Sequence, residues 1–422
     1  MNLKAYKPAL ILLALLAAAK PAFPQDTTVT SEKQEMSVPD SGDHTMHLKG
    51  FKHDLKMNMK HLELAMNDLN SNLNIGLKEL NTDIHTIVMP EITNMVNDIK
   101  VSVNDNALND MVQKGDISEK VKSYSKSYPM DGNDKLNIDN KFGKVLVNAW
   151  NKNEVKVDVE IRSYADNDET AQKMIDAVSI SDSKEGNVVS FGTNFGKGSS
   201  NSVWDLFNNR NDHHKVEVNY TIYMSTKNGL SISNKYGSIE IPDMSGKVSI
   251  DCAYGSFSGG SMTHADNEVR VRYGSAKFEN IASGDIQVSY GSLDMGDAGS
   301  LNAGLRYSSA KIGRIKNSAN IDGHYAGGIK IEGLDKNFSS FSFSSNYSNL
   351  TVGIDNSTNA NFDITVRYGD FSYGDAPVQI TEKTPSDDSK GWRPTKNFKG
   401  HIGKGGGGTI NISTSYGGVK FD

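Results

Sequence analysis

The sequence predicts a mainly β protein: a parallel β-solenoid, or β-helix, of about 18-residue coils, preceded by an α-helical N-terminal segment. Three observations predict it. An aromatic residue followed by a small one recurs along the chain, and apolar residues keep fixed offsets from that aromatic. Glycine is plentiful (39 residues) while only 36% of the 422 side chains are hydrophobic. A chain of this length ordinarily divides into two or three globular domains, each with its own core. A stack of repeats needs only one thin shared interior, which a modest apolar fraction can fill.

The chain opens with a targeting segment. Lys4 and Lys7 form a positive stretch, Ala9 to Ala19 is apolar throughout, and a looser region at 22–25 suits signal-peptidase cleavage. Eleven apolar residues are too few for a bilayer core, which needs about 20. The mature chain is therefore expected to be exported, in the periplasm or at the cell surface. The formal charge of the full sequence is −6, and losing Lys4, Lys7 and Lys20 leaves it near −9. That acidity argues against nucleic acid as a partner. A single cysteine, Cys252, excludes a disulfide-stapled module, and its place on the apolar phase of a strand makes it a buried, inert thiol.

Residues 26–45 are polar and aperiodic, which reads as a flexible linker. Within 46–115 the residues Leu62, Met66, Leu69, Leu73, Leu77, Leu80, Ile84 and Ile87 step by three and four, a helical stripe ended by Pro90. Ile92, Met95, Val96 and Ile99 make a shorter one. These helices are candidates for self-association.

The repeats follow. Phe142, Tyr236, Tyr254, Tyr273, Tyr290, Tyr307, Tyr325, Tyr347, Tyr368 and Tyr416 each precede a small residue, and from Tyr236 to Tyr368 the spacings are 17–22 residues. Positions minus four and minus two are apolar, as in Val269 and Val271 or Ile286 and Val288; plus three and plus five repeat the pattern, as in Leu293 and Met295 or Phe371 and Tyr373. Period-two alternation puts the tyrosine on the same face as the valines and isoleucines of its strand. Gly at plus one (Gly237, Gly255, Gly274, Gly291) is expected to supply a positive φ at the corner. A first β-repeat unit is thus expected over 116–225 and the solenoid proper over 226–422. Two excursions interrupt the pattern. The first, 163–215, contains a helix predicted from Glu169 to Val178; the second, 375–409, holds Pro377, Pro385, Pro394 and Trp392. Both are expected to cap or flank the stack, since open strand edges invite aggregation.

Several phrases carry a resemblance: Lys126-Ser127-Tyr128-Pro129, Asp139-Asn140-Lys141-Phe142-Gly143-Lys144-Val145, Trp150-Asn151-Lys152-Asn153-Glu154-Val155-Lys156-Val157, and the closing Thr414-Ser415-Tyr416-Gly417-Gly418-Val419. Over roughly 120–422 the chain resembles the bacterial putative-adhesin proteins with β-strand repeats. The resemblance implies an exported β-solenoid of the bacterial envelope and carries no catalytic residues.

The residues themselves point to binding rather than reaction. Arg314-Ile315-Lys316 resembles a pectin-hydrolase motif, but Ile315 is already required by the repeat and the partner aspartates of those enzymes are missing. Gly403-Lys404-Gly405 and the glycines after it form no P-loop, because the lysine precedes them. His44, His47, His53, His61 and His85 have no acidic or cysteine partners at ligand spacing, and His213-His214 reads as solvated loop. No catalytic residue, metal site or cofactor is expected. One surface pattern stands out. The position just before each aromatic holds Lys235, Ala253, Arg272, Ser289, Arg306, His324, Asn346, Arg367 and Ser415. In a solenoid it is an outward column of cations, Lys235, Arg272, Arg306 and Arg367, most of them two coils apart, with Asp251 and Asp322 as balancing neighbours. The expected function is non-enzymatic, adhesin-like binding or scaffolding at the cell envelope, with an acidic polysaccharide or another anionic surface ligand as partner. The alternative is a β-helical polysaccharide lyase or hydrolase, which needs clustered carboxylates.

Overall fold

Most strands of the repeat are short because the backbone leaves the β region at each aromatic. The computed structural model describes residues 111–196, 214–386 and 391–422. The predicted signal segment 1–25, the linker 26–45, the stripe from Leu62 to Ile99, the five early histidines and His213 lie outside the described residues. Of the predicted helical segment, only residues 111–115 are described, and 111–114 form one helical turn. The rest is mainly β, and its 24 strands hydrogen-bond into one sheet.

The first strands are β1 (Ser118–Pro129), β2 (Lys135–Lys141), β3 (Val145–Ala149) and β4 (Glu154–Ala165). Helix α1 (Asp168–Asp176) follows, then β5 (Val178–Glu185), β6 (Val188–Phe195) and β7 (Lys215–Met224). The helix starts where Asn167 accepts a hydrogen bond from the Thr170 amide at 2.9 Å, and Asp168 and Glu169 favour its first turn. It buries Ala171, Met174 and Ile175, close to the extent its sequence predicts. β1 and β7 flank β4 in antiparallel pairing, and β7 continues as the parallel neighbour of β3. β6 pairs parallel to β2, with β5 antiparallel on its far side.

The repeats then stack in rows. Each row has a strand before its aromatic and one after it: β8 (Gly229–Lys235) with β9 (Ile239–Ile241), β10 (Val248–Ala253) with β11 (Phe257–Gly259), β12 (Asn267–Arg272) with β13 (Ser275–Phe278). β14 (Ile281–Met295) and β15 (Ala298–His324) run through their corners. β16 (Ile329–Leu334), β17 (Ser340–Asn346), β18 (Leu350–Val352), β19 (Ala360–Arg367) and β20 (Phe371–Ser372) continue the series. β21 (Val378–Thr384), β22 (Thr395–Ile402), β23 (Gly408–Ser415) and β24 (Val419–Phe421) complete it.

Pairing between rows is parallel and in register. Ile138, Ile232, Ile250, Val269, Ile286 and Ala303 are successive partners on one side of the interior. Val145, Ile239, Phe257, Ala276, Leu293 and Ala310 are successive partners on the other. All twelve are buried, each Val, Leu, Ile or Phe side chain contributing about 1.5–3 kcal/mol when fully removed from water and each alanine less. Met244, Met262 and Ile281, at the plus-eight position, bridge between rows and are buried too.

Several expectations need correction. The tyrosines do not point inward with their strand neighbours; they are exposed. The aromatic itself takes the left-handed conformation, with φ between 49° and 63° at all ten positions, and this reverses the alternation there. The following glycines do not have positive φ. They are small for a different reason: a Cβ on Gly274 would lie 1.7 Å from the Gly255 carbonyl oxygen, and one on Gly291 equally close to that of Gly274. Neighbouring rows cross backbone to backbone at that point.

The order of the rows differs as well. β23 lies between β17 and β19, and β24 between β18 and β20, so the last row in sequence is next to last in the stack. Tyr373, predicted to be interior, is 36% exposed beside Phe371, because β20 holds only two residues and its row ends there. The second excursion supplies β22, antiparallel to β19, and β21, antiparallel to β22.

Candidate functional site

A left-handed residue at each corner turns its side chain out of the row, and in-register stacking then aligns those side chains. The outcome is one column of ten rings. Its order is Phe142, Tyr236, Tyr254, Tyr273, Tyr290, Tyr307, Tyr325, Tyr347, Tyr416 and Tyr368. Neighbouring centroids lie 4.7–5.1 Å apart with interplanar angles of 3–12°. A non-glycine left-handed residue costs on the order of 1 kcal/mol or more, and a ring pair returns about 0.5–1.5. Backbone bonds hold the geometry: the Tyr236 amide donates to the Ala253 carbonyl at 2.9 Å, Tyr254 to Arg272 at 2.9 Å, and Tyr273 to Ser289 at 2.9 Å. Edge-on contact with Phe195 at 5.5 Å closes the column at Phe142, and a tilted contact with Trp392 at 5.8 Å ends it at Tyr368.

The residue before each ring forms a second column alongside the first. Register runs from Lys141 to Lys235, Ala253, Arg272, Ser289 and Arg306. It continues from His324 through Asn346 and Ser415 to Arg367. Lys235, Arg272 and Arg306 therefore fall two rows apart. Arg367 lies four rows beyond Arg306, not the three that chain order gives, because the row of Tyr416 intervenes. Ala253 is not outward but buried, flanked in register by the longer side chains of Lys235 and Arg272. Lys141 extends the column and was legible in the match between Lys141-Phe142 and Lys235-Tyr236.

Arg272 is balanced by Asp251 at 2.7 Å, and His324 lies 3.2 Å from Asp322. Such exposed pairs contribute about 0–1 kcal/mol. Arg367 sits over the Tyr368 ring, 5.3 Å from its centroid. Lys235 and Arg306 have no carboxylate within ion-pair distance among the described residues.

Other candidates resolve differently. Arg314 reaches Asp355 at 3.1 Å and Lys316 reaches Asp297 at 3.0 Å, so both bases of that motif are engaged in surface pairs. His214 is not solvated: its side chain is largely buried, 3.4 Å from Asp166, where β7 begins. Cys252 is buried, and burial pushes its thiol up to about 12. A polar groove of about 670 Å³ crosses β12 to β17, lined by Asp266, Glu268, Asp285, Asn302 and Asn320 among others. Lys247 engages Glu268 at 2.8 Å, and Asp285 accepts from Gln287 and Asn302 at 2.9 and 2.6 Å, so two of its carboxylates are occupied as acceptors. Among the described residues no group of three or more His, Cys, Asp or Glu side chains could hold a metal ion, and no helix is long and apolar enough to cross a membrane.

The geometry defines a mainly β protein with one repetitive exposed face. No protein-family model matches the chain, and a search of curated proteins returns no match. Among solved structures it is similar to a "putative cell adhesion protein" from Clostridium sporogenes, at 12% identity and a TM-score of 0.17, over 72% of this chain and 99% of that one. It is also similar to a "putative adhesin" from Bacteroides fragilis, at 10% identity and a TM-score of 0.29, over 71% and 97%. A "putative lipid binding protein" from Parabacteroides distasonis aligns at 10% identity and a TM-score of 0.28, again over 71% and 97%. Scores this low transfer neither fold nor function between chains.

Proposed function

We propose that the chain is an exported, non-enzymatic β-solenoid that binds or scaffolds at the bacterial cell envelope, in the manner of an adhesin. Its repetitive corner is the binding face, and Lys235, Arg272, Arg306 and Arg367 supply the charge that attracts an acidic envelope polysaccharide. One observation carries the reading: a column whose own positions hold these four cations and no acidic residue runs along an exposed ring column on a protein of net charge −6, and only Arg272 of the four is paired with a carboxylate among the described residues. A repeated charge at fixed spacing suits a repeated ligand, and it does not suit a single small substrate.

The test is capture of acidic and neutral glycans by the mature protein, at low and raised salt. The wild type retains acidic glycans, and the Arg272→Ser/Arg306→Ser/Arg367→Ser variant loses them. Equal capture by both proteins ends this reading. Vesicles of anionic lipid form a second arm, and capture by those vesicles alone would assign the cations to a lipid headgroup. Truncation at about residue 115 separates self-association through the N-terminal helices from glycan capture.

A further inference from the structure

Stacking explains why the column is made of rings, but it does not explain the hydroxyls. A phenylalanine stacks as well as a tyrosine. Yet nine of the ten rings are phenols, and the exception is Phe142, the half-buried end ring covered edge-on by Phe195. The nine tyrosines are 39–51% exposed. Their hydroxyls have no protein partner among the described residues, whereas those of Tyr124 and Tyr128 bond to Asp182 and that of Tyr220 meets Thr193 at 2.9 Å.

The faces of the eight inner tyrosine rings, Tyr236 to Tyr347 and Tyr416, are occupied by their neighbours. A sugar or a cation can therefore not stack on them along the column, and what solvent meets is a line of ring edges and phenolic O–H groups every 4.7–5.1 Å. Ring edges are the positive side of the aromatic quadrupole, and O–H groups donate to carboxylates. Both favour anions, as does the cation column one residue away.

We infer that the tyrosine hydroxyls are the element that reads the ligand: they donate to successive carboxylates of an acidic polysaccharide lying lengthwise along the ring column. This rests on the proposed acidic-glycan binding and assigns it an orientation and a second set of contacts. The cations attract the polymer, and the hydroxyls select one whose acid groups repeat in step with the rows. Affinity then climbs with oligomer length until the oligomer spans the ladder.

The experiment titrates the mature protein with polygalacturonate oligomers of graded length and with their methyl esters, which keep the chain and lose the charge. The Tyr273→Phe/Tyr290→Phe/Tyr307→Phe variant removes three hydroxyls and keeps every ring, a change Phe142 shows the column accepts. The expected result is binding to the acid form at least tenfold weaker than wild type, with an unchanged melting temperature. Wild-type binding by this variant, alongside loss of binding in the triple arginine variant, overturns the role of the hydroxyls and leaves the basic column standing. Wild-type affinity no higher for the acid than for its ester overturns the acidic-glycan reading itself.

Discussion

The two hairpins that flank the parallel rows do the same work in different ways. At one end β6 joins β2 in parallel, buries Val189 and Phe191, and is locked by a buried polar chain in which the Thr193 hydroxyl meets Asn140 at 2.8 Å and Tyr220 at 2.9 Å. At the other, β22 turns antiparallel to β19 and buries Phe398 and Ile402, while β21 beyond it is mostly exposed and Trp392 is 74% exposed. The first hairpin extends the core. The second is a strap across a strand edge, blunted by the charges of Glu382 and Lys383 and by a register shift between Ile380 and Glu382.

If that contrast holds, truncation is costly on one side only. Phe191→Ala should lower stability by about 3–5 kcal/mol, and Ile380→Ala on β21 by less than about 1, both read by denaturant unfolding. Equal losses would make the two hairpins equivalent. Thr193→Val leaves the Asn140 carbonyl and the Tyr220 hydroxyl buried without their shared partner, at about 1–3 kcal/mol, whereas Trp392→Ala should stay within about 0.5.

Between the ends, the corner can be tested for what strain and stacking each contribute. Tyr290→Ala and Tyr290→Gly lose the same two ring contacts, but only glycine relaxes the positive φ of 57°. The glycine variant should therefore be the more stable by about 1 kcal/mol, the reverse of the usual order within a strand. A more stable alanine variant would mean the left-handed corner is not strained.

The smallest effect expected is a pH dependence beside β18. Hydrogen bonds from Ser357 and the Arg314 guanidinium hold the Asp355 carboxyl at about 2, below its unfolded range near 4. Its contribution is present above about pH 4 and is lost as pH falls from there toward 2. Asp355→Asn should flatten thermal stability over that interval, and an unchanged pH profile would remove Asp355 from the acid response.

Much of the mainly β reading was legible, because a mutual spacing of 17–19 residues survives from Tyr236 to Tyr325 with its apolar offsets intact. Val269, Val271, Leu293 and Met295 are buried as their phase requires. What failed was direction and order. Alternation assumes unbroken β geometry, so it sent the tyrosines inward; a single left-handed residue reverses the phase, and no composition signal announces it. Counting along the chain also assumed that sequence neighbours are stacking neighbours, which hid Tyr416 between Tyr347 and Tyr368. The basic column was readable as a pattern. Its free hydroxyl partner was not, because a tyrosine assigned to the interior offers no surface.

The displaced last row bears on how the molecule is made. Rows from Tyr254 to Tyr347 can be laid down as the chain emerges, each pairing with one synthesised 17–22 residues earlier. Tyr416 must meet Tyr347 across 69 residues of sequence, after β19 already exists to receive its other edge. Completion thus waits for a late, long-range closure, the slowest kind of contact a chain makes. Until β23 arrives, β17 and β19 face an unfilled slot, and it is in that interval that a chaperone would have something to hold.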